Sequence, residues 1–536
     1  MLCYIYIKGY SEADMKTLFY GGKIITMAEP LYAEAVLVED GQILAVGPKD
    51  ALQSLAEVFV DLHGATMLPG FMDAHSHLTE YATASLQVNL DGMATFADIK
   101  NAIQQYIWEN NISAGEWVVA RNYEHNLFPD ARKLTMEEID LIAPQHLLLI
   151  KHTSCHMGLV NSRVFEKFDI TAQTPSPNGG KYVVENGKLT GCVEESACTA
   201  IRMRVPAPTL EKACAAHIKM QDHYASYGIT TAQDGFLNGR MPEIYRKLYE
   251  SGDLKLDIVS YAPKASYEVL REKMNTLPAD ISAYLGGIKY FLDGSPQLRT
   301  AWVRTPYLGG HDVGMQCHTD EDVIEAFRFA AEHHSQMIIH ANGDAAIEQF
   351  LRCLAIVAEE YAESKQLRHT IIHGQLMGSD QLSKAAELGV IVSFFVAHTY
   401  HFADTHLCNL GEARGYKISP TNSALKNGVV FTFHQDAPVI EPNMLETVWC
   451  AVNRITRNGV HLAGEEISVL DALRAITINA AYQYFEEDKK GTIEAGKYAD
   501  FVVLDRDPLA VPKENIRDIQ VLQTYKYGKC IYGERM

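Results

Sequence analysis

Two histidines one residue apart, His75 and His77, follow the run LPGFM in the segment LPGFMDAHSHL. Pro69-Gly70 marks a turn there, and Phe71 and Met72 start a buried strand. Residues two apart on a strand face the same side, so two imidazoles in this register can grip one ion. Three apolar runs downstream also end on an ionisable residue: MIIH on His340, HTIIH on His373 and VVFTFHQD on Asp436. A charged group left unpaired at the end of a buried strand is costly. A divalent cation shared by these donors would supply the compensation, although any one of them alone is equally well read as a satisfied polar residue.

Donors so far apart in the chain need a scaffold that gathers strand ends. Between about residues 205 and 487, amphipathic stretches alternate with short apolar runs, the texture of βα units around a parallel sheet. Four units are legible: a helix near 320–335 leads to MIIHANGD, one near 345–363 to HTIIHG, one near 379–389 to VIVSFF, and one from about Ser419 to VVFTFHQD. Barrel enzymes collect their chemistry at the C-terminal ends of strands. The expected fold is therefore α/β, a distorted (β/α)8 TIM barrel over residues 69–487. Residues 17–68, with a hairpin turn at Asp40-Gly41, and residues 488–536 share a short-strand texture. Each is too short to bury a face alone, so the two ends are expected to form one small composite β-sandwich domain. The stretch at about 85–205, with a hairpin at Asn186-Gly187, reads as an insertion near the barrel mouth. Residues 1–16 read as an N-terminal tail, with Met15 an alternative start.

Composition narrows the partners. With 47 Lys+Arg against 67 Asp+Glu the formal charge is -20, which repels phosphate backbones, so no nucleic acid is expected. No apolar stretch reaches a membrane-spanning length and no signal-peptide pattern opens the chain, so no membrane partner is expected. The ten cysteines form no CxxC pairs and fit a reducing, cytoplasmic setting. A small-molecule substrate is the expected partner.

The stretches LPGFMDAHSH, HMGLVNSR, TGCVEESA, GITTAQDG, GGIKYFLDGSPQLRTAW, IHANGDAAI, RHTIIHGQ, HQDAPV and GTIEAGKYADFVVLD occur in this order. Together they resemble the amidohydrolase superfamily, specifically the YtcJ-like branch of amidohydrolase family 3, from about residue 17 to the C-terminus. The resemblance implies a metal-dependent hydrolase with one or two divalent ions, Zn2+ being the expected metal, and a homodimer. It makes His75 and His77 first-strand ligands, His340 and His373 the fifth- and sixth-strand ligands, and Asp436 an eighth-strand acid that both touches the metal and moves the proton. Lys289 takes the place of the family's fourth-strand lysine. Its ammonium would repel cations, but CO2 added to the neutral amine gives a carbamate, N6-carboxylysine, whose oxygens can bridge two ions. The alternative is an ordinary Lys289 salt-bridged to Asp293 or another acid beside a single ion.

By the same resemblance Asp293 and Arg299 shape a loop beside the substrate, His156 and Asn161 belong to a substrate-facing wall, and Glu195 is the acid of the insertion motif. Each also admits a purely structural reading. The chain departs from the family where Ala345 replaces an arginine, where IHGQ replaces EHAQ, and where HQDAPV puts His434 two residues before Asp436. The histidine-rich run SFFVAHTYHFADTH adds His398, His401 and His406. His398 and His434 are counted as substrate contacts. Because all five presumed ligands are kept, the departures bear on substrate rather than on metal chemistry.

The chemistry implied is hydrolysis of a non-peptide C–N bond beside a carbonyl or imine carbon: an amide, N-formyl group or lactam. An ester or lactone could be cleaved at the same centre, since water attack does not require nitrogen as the leaving atom. A non-catalytic scaffold is the third reading, and the retention of several costly buried polar groups argues against it.

Overall fold

Eight short apolar runs pair side by side, in chain order, to make one parallel sheet: Phe71–Met72, Ile229–Asp234, Asp257–Pro263, Ala283–Phe291, Gln336–Ala341, Thr370–His373, Ile391–Phe394 and Phe431–Phe433. Every neighbouring pair is parallel. Most of these strands are buried along their whole length, as expected where helices cover the sheet and leave no solvated face. The sheet curls until its ends meet just beyond the strands. There the His77 N–H donates to the Ala437 carbonyl at 2.9 Å, and the Asp436 N–H to the His75 carbonyl at 3.2 Å. This is a computed structural model, and it describes residues 15–153, 157–177 and 179–534.

The helices between strands form for local reasons. Thr319 and Asp322 cap Asp320–Glu332 reciprocally. Val323, Ala326, Phe327, Ala330 and Ala331 then recur at helical spacing, and all are buried. A comparable stripe of Ile347, Phe350, Leu351 and Leu354 buries one side of Asp344–Glu360.

A second eight-stranded sheet draws on both ends of the chain. Phe501–Leu504 pairs antiparallel with Thr66–Pro69, and Thr17–Ile25 lies beyond it, followed by Tyr32–Glu39 and Gln42–Gly47. The turn at Asp40-Gly41 has φ of +50° and +76°, the left-handed pair that a two-residue hairpin requires. Phe19, Val36, Met67, Phe501 and Tyr525 form the core of this sheet. The hydrogen bonds thus draw the terminal segments as one continuous sheet.

The chain divides into two compact units. One holds the residues up to Tyr81 and those from His217 onward, with both sheets described above; the other is Ala82–Ala216. The second unit has its own six-stranded sheet, in which Val88–Asn89, Trp117–Tyr123 and Leu147–His152 run parallel and Met157–Val160, Lys188–Glu195 and Gly180–Glu185 follow antiparallel. Ile99, Ile103, Ile139, Leu148 and Ile150 fill its core. No helix among the described residues is long and apolar enough to cross a membrane.

Candidate metal centre

The C-terminal ends of the first, fourth, fifth, sixth and eighth strands of the parallel sheet bring His75, His77, Lys289, His340, His373 and Asp436 into one cluster. Asp436 Oδ1 lies 3.6 Å from His75 Nε2 and 3.4 Å from His77 Nε2. His75, His77 and Asp436 form a trio able to hold an ion. Lys289 Nζ is 3.1 Å from His75 Nε2, and His373 Nε2 is 3.0 Å from His340 Nδ1. An edge-to-face contact continues the link, with His75 and His373 centroids 6.1 Å apart.

Hydrogen bonds orient two of the rings, His75 and His340. Gln233 donates through Nε2 to the Ala74 carbonyl at 2.7 Å and to Tyr484 at 3.0 Å, which turns its Oε1 to His75 Nδ1 at 2.5 Å. An oxygen there can only accept, so His75 carries its proton on Nδ1 and keeps an Nε2 lone pair for the centre. His340 Nε2 lies 3.0 Å from the Gly294 carbonyl and 3.1 Å from Asn342 Nδ2; with its proton on Nε2 it donates to that carbonyl and leaves Nδ1 as the inward lone pair. Gly235 makes room for this arrangement, since a Cβ there would stand 2.6 Å from His75 Cε1.

Electrostatics favour a cation. Burial and the Lys289 charge hold His75 well below the usual imidazole range and His340 at about 4. Burial, then the His340 charge, does the same for His373. For Asp436 burial acts upward, but His77, His373 and His75 outweigh it and keep the carboxylate ionised. Imidazoles gathered around one carboxylate are the kind of donor set a divalent ion takes. Burial also pulls Lys289 down to about 7. Among the described residues its polar partner is His75 rather than an acid. Two donors carry backbone strain as well: His373 has φ of +79° and Asp436 of +53°. Such non-glycine conformations cost about 1–3 kcal/mol each and collect at functional sites.

The remaining expected residues take varied places. Asp293 is buried, with Oδ1 accepting from the Asn342 N–H at 3.0 Å and Oδ2 from those of Gly343 at 2.7 Å and Trp302 at 3.0 Å. It thus ties the fourth-strand loop to the fifth, 3.6 Å from His340, and is not paired with Lys289. Burial outweighs those three donors and raises it to about 7. Arg299, at φ of +57°, spends its guanidinium on Asn409 Oδ1 at 2.9 Å and the Leu308 carbonyl at 3.4 Å. His434 is fully buried behind His373, its Nε2 3.2 Å from His373 Nδ1 and its Nδ1 2.8 Å from Ser393 Oγ. His398 packs on Phe395, centroids 4.2 Å apart, and Phe395 in turn stacks on His434. His401 pairs with Glu446 at 2.6 Å, and His406 Nε2 lies 3.4 Å from Gln297 Oε1.

In the second unit Asn161 is fully buried. Its side chain accepts from the Leu148 N–H at 3.1 Å and donates to the Ala143 and His146 carbonyls at 3.2 and 2.8 Å, so it holds a turn of its own sheet. Glu195 is exposed, at φ of +52°, just before the helix Ser196–Arg202. His156 lies outside the described residues. Residue patterns alone did not single out Gln233 and Ser393, which orient the ligands. Gln233 could have been found as a polar residue near the end of the second strand, inside GITTAQDG; nothing in the sequence marks Ser393.

A parallel sheet with histidines and a carboxylate at its strand ends is the framework of a metal-assisted hydrolase. Residues 58–532 match the sequence pattern of the amidohydrolase family. The chain belongs to that family. It is 26% identical to the putative amidohydrolase YtcJ of Bacillus subtilis, with 97% of this chain and 99% of that protein covered. It is 28% identical to an N-substituted formamide deformylase of Arthrobacter pascens, with 93% and 95% covered. An uncharacterized metal-dependent hydrolase from Pyrococcus furiosus superposes with a TM-score of 0.76 over 92% of this chain and 100% of that one, at 22% identity, a likeness of fold.

Proposed function

We propose that this chain is a metal-dependent hydrolase of a non-peptide C–N bond, with an N-formyl or other small amide as substrate and a closed (β/α)8 barrel as its scaffold. The observation that carries the reading is the convergence of Asp436 Oδ1 on His75 and His77 Nε2 at 3.4–3.6 Å, beside His340 and His373. The similarity to a formamide deformylase over nearly the whole chain supports the C–N assignment. The five donors would hold the ion, with Zn2+ the metal that best suits imidazole and carboxylate together. When bound, that ion acidifies a water toward neutral pH and polarises the carbonyl under attack.

The chain's own groups do the rest. Asp436 is held ionised, so it can take a proton from the attacking water and deliver it to the leaving nitrogen. An amine leaves poorly without that proton, which gives Asp436 its role in C–N cleavage. Gln233 and Gly294 keep His75 and His340 in the tautomers that bind. Lys289, buried and shifted down to about 7, would supply the neutral amine that CO2 needs, and its carbamate oxygens would be further donors for a metal.

Paired N-formyl, amide and ester substrates, assayed on wild type and Asp436→Asn, test the reading. We expect the N-formyl or amide member to be turned over and the variant to lose at least about 100-fold. Turnover of the esters alone, or a fully active Asp436→Asn, would overturn it.

A further inference from the structure

The geometry points to a second metal site, inside the unit Ala82–Ala216, formed by Glu124, His125 and His152. It rests on these residues alone and is independent of the reading given to the barrel.

Parallel strands Trp117–Tyr123 and Leu147–His152 lie side by side, with Tyr123 paired to His152. Their C-terminal ends therefore sit together, and the loops leaving such ends are where open α/β sheets place ligands. Immediately after Tyr123 the chain turns into a short helix, His125–Leu127, with Glu124 as its cap. Glu124 Oε1 accepts from the Asn126 N–H at 3.0 Å and from Asn126 Nδ2 at 2.7 Å, so one carboxylate oxygen is fixed before any ligand arrives. The Tyr123 ring, itself buried, backs both imidazoles, with centroids 6.5 Å from His125 and 6.1 Å from His152.

Three donor atoms face one another: His125 Nδ1 and His152 Nε2 at 3.1 Å, His152 Nε2 and Glu124 Oε1 at 3.5 Å, His125 Nδ1 and Glu124 Oε1 at 3.7 Å. Both carboxylate distances exceed those of a good charge-assisted hydrogen bond. A tetrahedral ion with bonds of about 2.0–2.1 Å keeps its ligands about 3.3 Å apart, which is the mean spacing of this triangle to within a few tenths of an ångström. A cation at the centre would engage all three donor atoms at once. The trio is partly buried, with side-chain exposures of 27%, 22% and 9% in the order Glu124, His125, His152. Two imidazoles and one carboxylate select a borderline ion such as Zn2+ over Mg2+ or Ca2+.

The test is a Co2+ titration of the chelator-stripped full chain, read by metal content and by visible ligand-field absorption. In a His75→Ala/His77→Ala background, which removes two barrel donors, the chain should still bind one equivalent with the absorption of a low-coordinate N/O site. Adding Glu124→Gln, which keeps the acceptor for Asn126, or His152→Ala should abolish that equivalent. Should the barrel variant fail to fold, wild type is compared with Glu124→Gln, and the difference should be one equivalent. A folded chain whose stoichiometry and spectrum are unchanged by both Glu124→Gln and His152→Ala would overturn the proposal, and the trio would then be a hydrogen-bonded cluster only.

Discussion

His434 shows how much one residue can change the environment of a ligand. Its imidazole lies between Ser393 Oγ and His373 Nδ1 with no exposure to solvent. The inward nitrogen of His373 is free to coordinate only when its proton sits on Nδ1, and His434 Nε2, 3.2 Å away, would accept that proton's hydrogen bond. We therefore infer that His434 orients His373, beside the substrate contact that the sequence suggested. Removing such a partner costs about 10–100-fold in metal affinity in other metal sites. His434→Gly should lower divalent-ion affinity by that amount, measured by competition with a chelating dye, with KM at saturating metal little changed. An unchanged affinity with a raised KM would return His434 to the substrate.

Between elements, one buried ion network fastens the C-terminal strands to the parallel sheet. Asp257, which opens the third strand, meets the ammonium groups of Lys490 and Lys526, the latter at 2.8 Å, and accepts from Tyr527 Oη at 2.9 Å. Asp500 takes a second bond from Lys526 at 2.7 Å. Burial alone would push Asp257 upward, but the two ammonium groups outweigh it and hold the carboxylate well below its ordinary range. A depressed carboxylate stabilises the fold fully above its unfolded value of about 4 and loses that contribution as pH falls through the folded value. Asp257→Asn should cost about 3–5 kcal/mol by leaving buried ammonium charge uncompensated. Urea unfolding should show the deficit at pH 7 and a smaller one well below pH 4; equal deficits at both would contradict the assignment.

The same scale explains what could be read in the sequence. Strands ending in His340, His373 and Asp436 were legible because apolar runs stop abruptly on a polar group, a pattern set by neighbours along the chain. The Asp40-Gly41 hairpin was legible because few residue pairs accept two left-handed conformations. Gln233 and Ser393 escaped because their roles arise only when the first and second strands, or the seventh and eighth, come within hydrogen-bond reach. Asn161 sits in a motif quoted for substrate, yet its bonds all go to backbone, a role that local sequence does not distinguish from a ligand contact.

Over the whole molecule, texture alone predicts a small β-sandwich from the two chain ends, and the hydrogen bonds join them in one continuous sheet. The second unit is legible in sequence as an insertion with one hairpin at Asn186-Gly187, and the rest of its sheet is not, for its strands are short and mix parallel with antiparallel pairing. Everything proposed for the barrel depends on a divalent ion among His75, His77, His340, His373 and Asp436. The most direct measurement is the metal content of the purified chain, followed by chelation and re-addition while hydrolysis of an N-formyl substrate is monitored. At least one divalent ion per chain should be present, activity should vanish on stripping and return with Zn2+, and His75→Ala should recover neither. Full turnover by a stripped chain free of metal would contradict the account.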